Sequence, residues 1–348
     1  MSIIPVTVPT GAIRYNTDSN KMECFNGTKW MQVAVSSPDL GKATNSPEST
    51  GGARAFVAGG TFPSNTNIIT AVNTASSGTS EDFGNLTQNV QVSGSGSSRT
   101  RAVRLGGHTG SVTDTIDYWT MSTTGDALDF GNLFEKVRSN GGCSNQTRAA
   151  CFGGLDDPAL HAEIQYITIA SLGDSKDFGD LSAAGSHRSA TSSPIRAVVG
   201  GGETPSKTNA IEYSTLPTLG NATDFGDLTA AKSSMCSCSS STRAVFMGGE
   251  SPSFINVIEY VQIATTGNGK DFGDISSRTK RSGNGGSDCV RGFYFGGSNN
   301  TPSPGMGFND IDSLVFATQG NTVDFGDLHT TVHSFPANGQ TGTGHGGL

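Results

Sequence analysis

Charged residues are scarce in this sequence, and what it lacks excludes several classes of protein. Lys, Arg, Asp and Glu make up 15% of the 348 residues, and the formal net charge is −8. The chain has no basic surplus to neutralise phosphates, so we expect no nucleic-acid partner. No stretch approaches the roughly 18 consecutive apolar residues that a membrane-spanning helix needs, so we expect no membrane insertion.

Targeting and cross-linking signals are also missing. The first residues, MSIIPVTVPTG, have neither the basic region nor the apolar region of a secretory signal peptide. The six cysteines are scattered and lack the density of a disulfide scaffold. We therefore expect a soluble protein that folds in a reducing cytoplasm.

A short triplet, Asp-Phe-Gly, recurs six times, with 47, 48, 47, 47 and 53 residues between successive Phe positions. Each copy follows a glycine placed four residues before its Asp, and each is followed by Asn or Asp and then by Leu or Ile. In a protein kinase such an Asp holds magnesium, but a kinase has one copy in a mixed α/β domain. Here the triplet marks a repeat, whose Asp and Phe residues are Asp82, Phe83, Asp129, Phe130, Asp177, Phe178, Asp224, Phe225, Asp271, Phe272, Asp324 and Phe325.

Three other elements recur in phase with the triplet. One is an apolar segment that begins with Arg and ends in Gly-Gly, as in RAVFMGG; another is an apolar segment with Tyr, as in NAIEYSTL. A run of small residues precedes each Arg. The six arginines are Arg54, Arg101, Arg148, Arg196, Arg243 and Arg291.

A repeat of about 47 residues with four short extended segments is the signature of a β-propeller blade. Turn residues separate the segments, and no segment shows a sustained helical stripe. Six blades closed into a ring would leave no long exposed sheet edge. We therefore predict an all-β protein: a six-bladed β-propeller at residues 37–328, preceded by a small N-terminal antiparallel β meander.

The Gly-Gly that ends the second segment, the apolar segment with Tyr and the aromatic residue in the fourth segment resemble Kelch repeats. The resemblance covers residues 39–328 and implies a propeller of the galactose-oxidase type. Kelch repeats typically have Trp in the fourth strand, where this chain has the Phe of its triplet.

The repeat elements can be placed in a blade whose strands A to D run from the axis outward. Strand A, the small-residue run, lies where six blades crowd together, and strand B is buried on both faces. We expect the triplet Phe to pack between blades and the triplet Gly to relieve crowding or mark a bulge. The glycine of the C–D loop should have positive φ. We also expect the strand-B Arg residues to pair with the triplet Asp residues.

Recognition is expected on the side of the blades that carries the B–C loops, because these loops all differ while the C–D turns are nearly identical. We expect no catalytic residue, metal or cofactor, and we interpret Cys143, Cys236 and Cys238 as small buried thiols beside the axis. The candidates for the ligand face are Phe62, His108, Asp156, His161, Glu203, Phe254, Met306 and Phe308.

Residues 1–36 precede the repeat and alternate apolar and polar residues, which predicts short strands at 12–16, 21–25 and 29–34. So short a segment cannot build its own core, so we expect it to attach to something else. The attachment candidates are Ile13, Tyr15, Phe25 and Trp30.

The sequence of this segment, GAIRYNTDSNKMECFNGTKW, resembles a segment of structural and fibre proteins of tailed bacteriophages. Propellers with repeated DFGDL also resemble virion proteins of marine cyanophages. The two resemblances imply a component of a phage virion, assembled in the host cytoplasm.

The C-terminal tail, 329–348, resembles the start of a further repeat unit, and so does 39–53. Only one of them can supply strand A of the first blade. We favour 39–53, because it makes a local hairpin with RAFVAGG.

The leading hypothesis is a non-enzymatic virion protein of the fibre, tail, neck or decoration type. Its N-terminal segment contacts other virion proteins, and its propeller displays a surface for host or partner proteins or glycans. We expect it to belong to a homo-oligomer or a larger assembly. The alternatives are a glycan-active propeller enzyme and a purely architectural decoration protein without a ligand.

Overall fold

The computed structural model describes residues 9–16, 21–32, 54–61, 64–299, 307–332 and 340–341. Within these ranges every regular element is a β-strand, and no helix occurs, which confirms the all-β prediction. The chain divides into two compact units, Met1–Lys42 and Ala43–Leu348.

The first unit contains a three-stranded antiparallel sheet in the order β1-β2-β3. The turn between the last two strands is stabilised by Asn26, whose Oδ1 accepts hydrogen bonds from the N–H groups of Thr28 and Lys29. The strands are β1 (Ile13–Asn16), β2 (Lys21–Phe25) and β3 (Trp30–Gln32).

The second unit contains six antiparallel sheets of four strands each. We number the sheets one to six along the chain and name the strands of each sheet A to D in sheet order. Strands B to D of sheet one are β4 (Arg54–Ala58), β5 (Ile68–Asn73) and β6 (Glu81–Asn85). Sheet two has β7 (Gly94–Ser97), β8 (Arg101–His108), β9 (Val112–Thr120) and β10 (Leu128–Asn132). Sheet three has β11 (Gly141–Ser144), β12 (Arg148–Asp156), β13 (Ala159–Thr168) and β14 (Lys176–Asp180).

The remaining sheets repeat this pattern. Sheet four has β15 (Ser189–Ser192), β16 (Arg196–Gly200), β17 (Ala210–Thr215) and β18 (Thr223–Asp227). Sheet five has β19 (Cys236–Ser239), β20 (Arg243–Met247), β21 (Val257–Gln262) and β22 (Lys270–Asp274). Sheet six has β23 (Asn284–Ser287), β24 (Arg291–Phe295), β25 (Phe308–Val315) and β26 (Val323–Val332).

Strand A of sheet one comes from the C-terminal end of the chain. It is β27 (Gln340–Thr341), which pairs antiparallel with β4, Thr341 standing opposite Ala55. Assigning this place to 39–53 was therefore wrong, and those residues lie outside the described ranges. This long-range pairing also links sheet one to its two neighbours, because β27 contacts β23 of sheet six and β7 of sheet two.

The A strands contact one another in series, from β7 through β11, β15 and β19 to β23. All four residues of each of these strands are buried. A Cβ added to Gly142 would lie 2.0 Å from the backbone nitrogen of Ser95, so a larger residue does not fit there. The small residues thus lie where the A strands crowd together, and the sheets have a propeller-like arrangement.

Six apolar clusters lie at the junctions between sheets. Phe83 of sheet one packs with Trp119 and Met121 of sheet two, and Phe325 of sheet six packs with Val57 of sheet one. The other triplet phenylalanines occupy the same place at the four intervening junctions; they are Phe130, Phe178, Phe225 and Phe272.

The outer edge of each sheet, strand D, is covered by backbone hydrogen bonds from the next sheet. At every junction the loop glycine donates its N–H to the carbonyl oxygen of the triplet Phe; between sheets six and one, Gly78 bonds Phe325 at 3.1 Å. A Cβ at the triplet glycine Gly179 would lie 2.5 Å from the carbonyl carbon of Gly220, so only glycine permits this approach. The six loop glycines have φ from 140° to 157°.

Candidate recognition face

The side of the sheets that carries the A–B and C–D turns is built from a repeated arginine contact. Arg101 donates from Nη1 to the carbonyl oxygens of Ile169 and Ala170 in sheet three, at 3.0 and 3.2 Å. Its guanidinium also lies 4.9 Å from the centre of the Tyr118 ring. The other five arginines likewise donate to carbonyl oxygens of the next sheet; they are Arg54, Arg148, Arg196, Arg243 and Arg291.

The predicted pairing of these arginines with the triplet aspartates is therefore wrong. The triplet aspartates lie exposed on strand D, at the outer edge of each sheet, whereas the guanidinium groups reach the carbonyl end of strand C in the next sheet. Among the described residues, no ion pair joins the two sets. A different acidic or amide residue, the one after the loop glycine, bonds strand D of the preceding sheet, as Asp174 does when its Oδ1 accepts the N–H of Asn132 at 2.9 Å.

The opposite side carries the B–C loops and the connections from strand D to the next strand A. Five residues of these connections form a hydrogen-bonded series that we call the central chain: Val92, Ser139, His187, Ser234 and Ser282. The N–H of each residue after Val92 donates to the carbonyl oxygen of the one before it, at 2.7 to 3.1 Å. All five have φ between 53° and 57°, which is uncommon for residues other than glycine. The central chain thus crosses sheets two to six and aligns the residues that flank it.

Uncharged polar groups occupy the part of this face on sheets one and two. Thr61 contacts Gln91 through their side chains, and Asn65 donates from Nδ2 to the carbonyl oxygen of His108 at 3.0 Å. His108 is thus placed by its backbone next to a loop of the neighbouring sheet.

Sheet three contributes ion pairs to the face. Arg138 binds Asp157 through two hydrogen bonds, from Nε at 3.0 Å and from Nη2 at 2.6 Å. These bonds hold the pKa of Asp157 below its usual value. Lys136 lies 3.5 Å from Asp156, and His161 Nδ1 lies 3.2 Å from Glu163.

His187 and Glu203 lie together on sheet four. Their side chains are 3.8 Å apart, and Glu203 also accepts a hydrogen bond from Ser233 of sheet five at 2.9 Å. Burial lowers the pKa of His187; Glu203 opposes this shift, while the charges of Arg138 and Arg281 add to it. Because these arginines belong to sheets three and six, side chains from three sheets act on one another here.

Glu250 of sheet five joins two cations. Lys207 binds its Oε1 at 2.7 Å and Arg281 binds its Oε2 at 2.5 Å. Burial raises the pKa of Glu250, but these two cations outweigh burial and leave the pKa below its usual value. Arg281 also lies 4.8 Å from the ring centre of Phe254.

The structure brings some of the candidate residues into this network and leaves others apart. Glu203 and Phe254 belong to it directly, and His108 belongs through its backbone. Asp156 and His161 form separate pairs on sheet three. Phe308 lies 4.1 Å from the guanidinium of Arg278 on sheet six. Phe62 and Met306 lie outside the described residues.

Sequence reasoning missed the residues that enter strand A. Gln91, Arg138, Ser186, Ser233 and Arg281 directly precede the members of the central chain, and each forms a bridge to the end of a strand B. The sequence could have indicated these five residues. They recur in phase with the repeat yet differ in chemistry, as the B–C loops do.

Four buried ion pairs also escaped the sequence analysis. Each joins an acidic residue of strand C to a cation of strand B, of the start of strand A or of the D–A connection, and Lys232 lies 3.1 Å from Glu259 with both side chains almost fully buried. The others are Arg104–Asp117, Arg188–Glu212 and Lys280–Asp312.

The cysteines of strand A are buried, and burial raises the pKa of Cys143 to about 12. Over the described ranges, no group of three or more His, Cys, Asp or Glu side chains is placed to hold a metal ion. The same residues include no helix of the length and apolarity needed to cross a membrane. No protein-family model matches the chain, and no curated protein sequence matches it.

Proposed function

We propose that this protein is a non-enzymatic component of a tailed-phage virion: a closed six-bladed β-propeller that displays a recognition face and is attached through its N-terminal unit. The proposal combines the sequence resemblances with the contrast between the two sides of the sheets. That contrast carries the argument for recognition.

The closed ring of six blades is supported by contacts that repeat at every junction. The arginine contact, the loop-glycine hydrogen bond and the triplet Phe cluster each occur between consecutive sheets. All three also join sheet six to sheet one. A ring of this kind needs β27 as the sixth strand A.

The recognition role is supported by the lack of repetition on the other side. Five different residue types occupy the six equivalent positions after the Gly-Gly of strand B, which are Thr61, His108, Leu155, Glu203, Glu250 and Ser298. Residues that only maintain the scaffold repeat in this chain, so unrepeated polar groups on one side indicate selection for a ligand or partner.

The attachment role is supported by the faces of the N-terminal sheet. Ile13 and Tyr15 lie on one face of β1 and are 64% and 57% exposed. Met31 on β3 lies on the same face and is also exposed. Phe25 and Trp30 pack on the other face, with ring centres 5.4 Å apart, and Arg14 lies over Trp30. An apolar row of this kind on so small a unit is suited to a partner surface.

The test uses the full-length protein, particles of the phage that carries it and the cells that this phage infects. We expect E203R to alter binding to cells, because it reverses a charge on the recognition face, and D177R, the matched charge reversal on strand D, to leave binding unchanged. I13D with Y15D should prevent incorporation into particles while both charge variants are incorporated normally. If E203R and D177R bind cells equally, the propeller is architectural; release of new reducing ends from host polysaccharide would indicate an enzyme instead.

A further inference from the structure

Two arginines and a histidine from three sheets gather beside the central chain. Arg138 precedes Ser139, and Arg281 precedes Ser282, while His187 is itself a member. The hydrogen bonds between successive members, 2.8 Å from His187 to Ser139 and 3.1 Å from Ser234 to His187, hold these positions close together. Each of the three lies beside a carboxylate, which is Asp157 for Arg138, Glu203 for His187 and Glu250 for Arg281.

The three side chains are partly exposed and therefore accessible to a ligand. The exposed fractions are 25% for Arg138, 22% for His187 and 18% for Arg281. An arginine has five N–H donors, and the hydrogen bonds found for Arg138 among the described residues use only its Nε and Nη2. Donor capacity towards an acidic ligand therefore remains on this side chain.

The surroundings favour a saccharide over an apolar partner. The B–C loops of sheets four and five carry short hydroxyl side chains that are at least partly exposed, among them Thr204, Ser206, Ser251 and Ser253. Within the described residues, none of the exposed large apolar side chains lies in a B–C loop, and only Phe134 lies in a D–A connection. A peptide or protein partner usually needs such anchors at the centre of its interface, whereas hydroxyl groups of a sugar pair well with short polar side chains.

We propose that Arg138, His187 and Arg281 form a binding site for the carboxylate of an acidic saccharide. This inference rests on the recognition function proposed above and names its ligand class. Arg138 and Arg281 donate charge-assisted hydrogen bonds to the carboxylate.

Asp157 and Glu250 compete with the ligand for the two arginines, because each already accepts hydrogen bonds from one of them. Removing a competing carboxylate should therefore strengthen binding. This effect distinguishes a ligand site from a set of structural ion pairs, since loss of a structural ion pair brings no gain of affinity.

The experiment measures binding of the full-length protein to an array of oligosaccharides that carry uronic or sialic acid, with their methyl esters as matched neutral ligands. Isothermal titration calorimetry then gives the affinity for the tightest one. We expect the acid to bind at least tenfold more tightly than its ester. R138Q and R281Q should each reduce affinity at least tenfold, and D157N should raise it severalfold. R99Q, at an A–B turn on the other side, is the matched control and should bind like the wild type.

The melting temperature of each variant shows whether it is folded. If an arginine variant is unfolded, the affinity of D157N still tests the proposal. Equal binding of acids and esters, binding unaffected by R138Q and R281Q, or weaker binding by D157N would overturn the proposal. So would the absence of binding to every acidic saccharide, or tighter binding of hexaglutamate, an acidic peptide. Cell binding that persists in R138Q and R281Q but is lost in E203R would overturn the acidic-saccharide site while leaving the proposed function intact.

Discussion

At the scale of single residues, the Asp and the Phe of each triplet have opposite environments. Phe178 is 3% exposed and packs between sheets three and four, whereas Asp177 is exposed and its Oδ1 accepts the N–H of Gly179 within its own strand. The triplet thus contributes a buried aromatic residue to each junction, and its carboxylate contributes little.

We expect F178A to lower the free energy of unfolding by about 3–5 kcal/mol, because it leaves a cavity at a junction. D177N should change it by no more than about 0.5 kcal/mol, as is usual for an exposed position. Urea unfolding of F178A and of D177N measures both free energies. Equal losses would show that the carboxylate has a structural role that its exposure does not reveal.

His187 gives the stability a dependence on pH. Its pKa is lower in the folded protein than in the unfolded chain, because burial and the charges of Arg138 and Arg281 outweigh Glu203 and Glu250. The unfolded state therefore binds more protons as the pH falls below about 6.5, the usual pKa of histidine, and stability decreases.

We expect H187N to lose less stability than the wild type when the pH is lowered from 7.5 to 5.5. Asn tolerates the positive φ of this position, so the exchange removes the titrating group with little backbone strain. Melting temperatures of both proteins at the two pH values test this. An equal decrease in the two proteins would show that other groups, such as the paired carboxylates, account for the whole effect.

At the scale of the elements, buried ion pairs join strand C to cations in strand B, in the start of strand A and in the D–A connection. In sheet five, Glu259 of β21 lies 3.1 Å from Lys232 and also accepts the N–H of Thr229 at 3.2 Å. The Glu259 carboxylate therefore contacts two residues of the D–A connection between sheets four and five. Gln165, at the equivalent place in sheet three, accepts the N–H of Glu135 at 3.2 Å without an ionic partner.

We expect E259Q to destabilise the protein by about 3–5 kcal/mol, because it leaves the buried Lys232 without a counter-charge. The double variant E259Q/K232M should recover part of this loss, since it removes the orphaned charge as well. Urea unfolding of both variants and of K232M completes the double-mutant cycle. Additive losses would contradict a direct coupling between the two side chains.

At the scale of the whole second unit, its first and last described strands pair in one sheet. β27 forms only two residue pairs with β4, yet it also contacts the A strands of sheets two and six. Its loss would expose the edge of β4 and remove contacts at two junctions at once. Exposed edges of this kind favour pairing between chains.

We expect truncation after residue 332 to lower the melting temperature by several degrees and to promote self-association. Light scattering coupled to size-exclusion chromatography measures the association. Truncation after residue 341, which keeps β27, is the matched control and should remain like the full chain. If both truncated proteins behave alike, another segment takes the place of β27.

Much of the fold was predictable because its determinants are local. The period near 47 residues placed the strands of every sheet except strand A of sheet one, and the loop glycines were expected at positive φ, as found. The variable loops indicated one side of the sheets, and Glu203 and Phe254 belong to the network there. Arg138 and Arg281 were missed, since nothing in their local sequence shows that the charges of both act on His187.

The sequence by itself therefore determined the repeat, the strand type and the residues that face a neighbouring sheet, because each depends on patterns within one unit. Only the tertiary structure decided which segment pairs with β4, where the six arginines donate and which charges meet beside the central chain. These contacts join residues from 30 positions apart, as Glu203 and Ser233 are, to 286 positions apart, as Ala55 and Thr341 are. The geometry of the assembled sheets selects the partners. It places backbone carbonyl oxygens within reach of the six arginines, whereas the repeat pattern alone gave no reason to prefer these oxygens to the triplet aspartates.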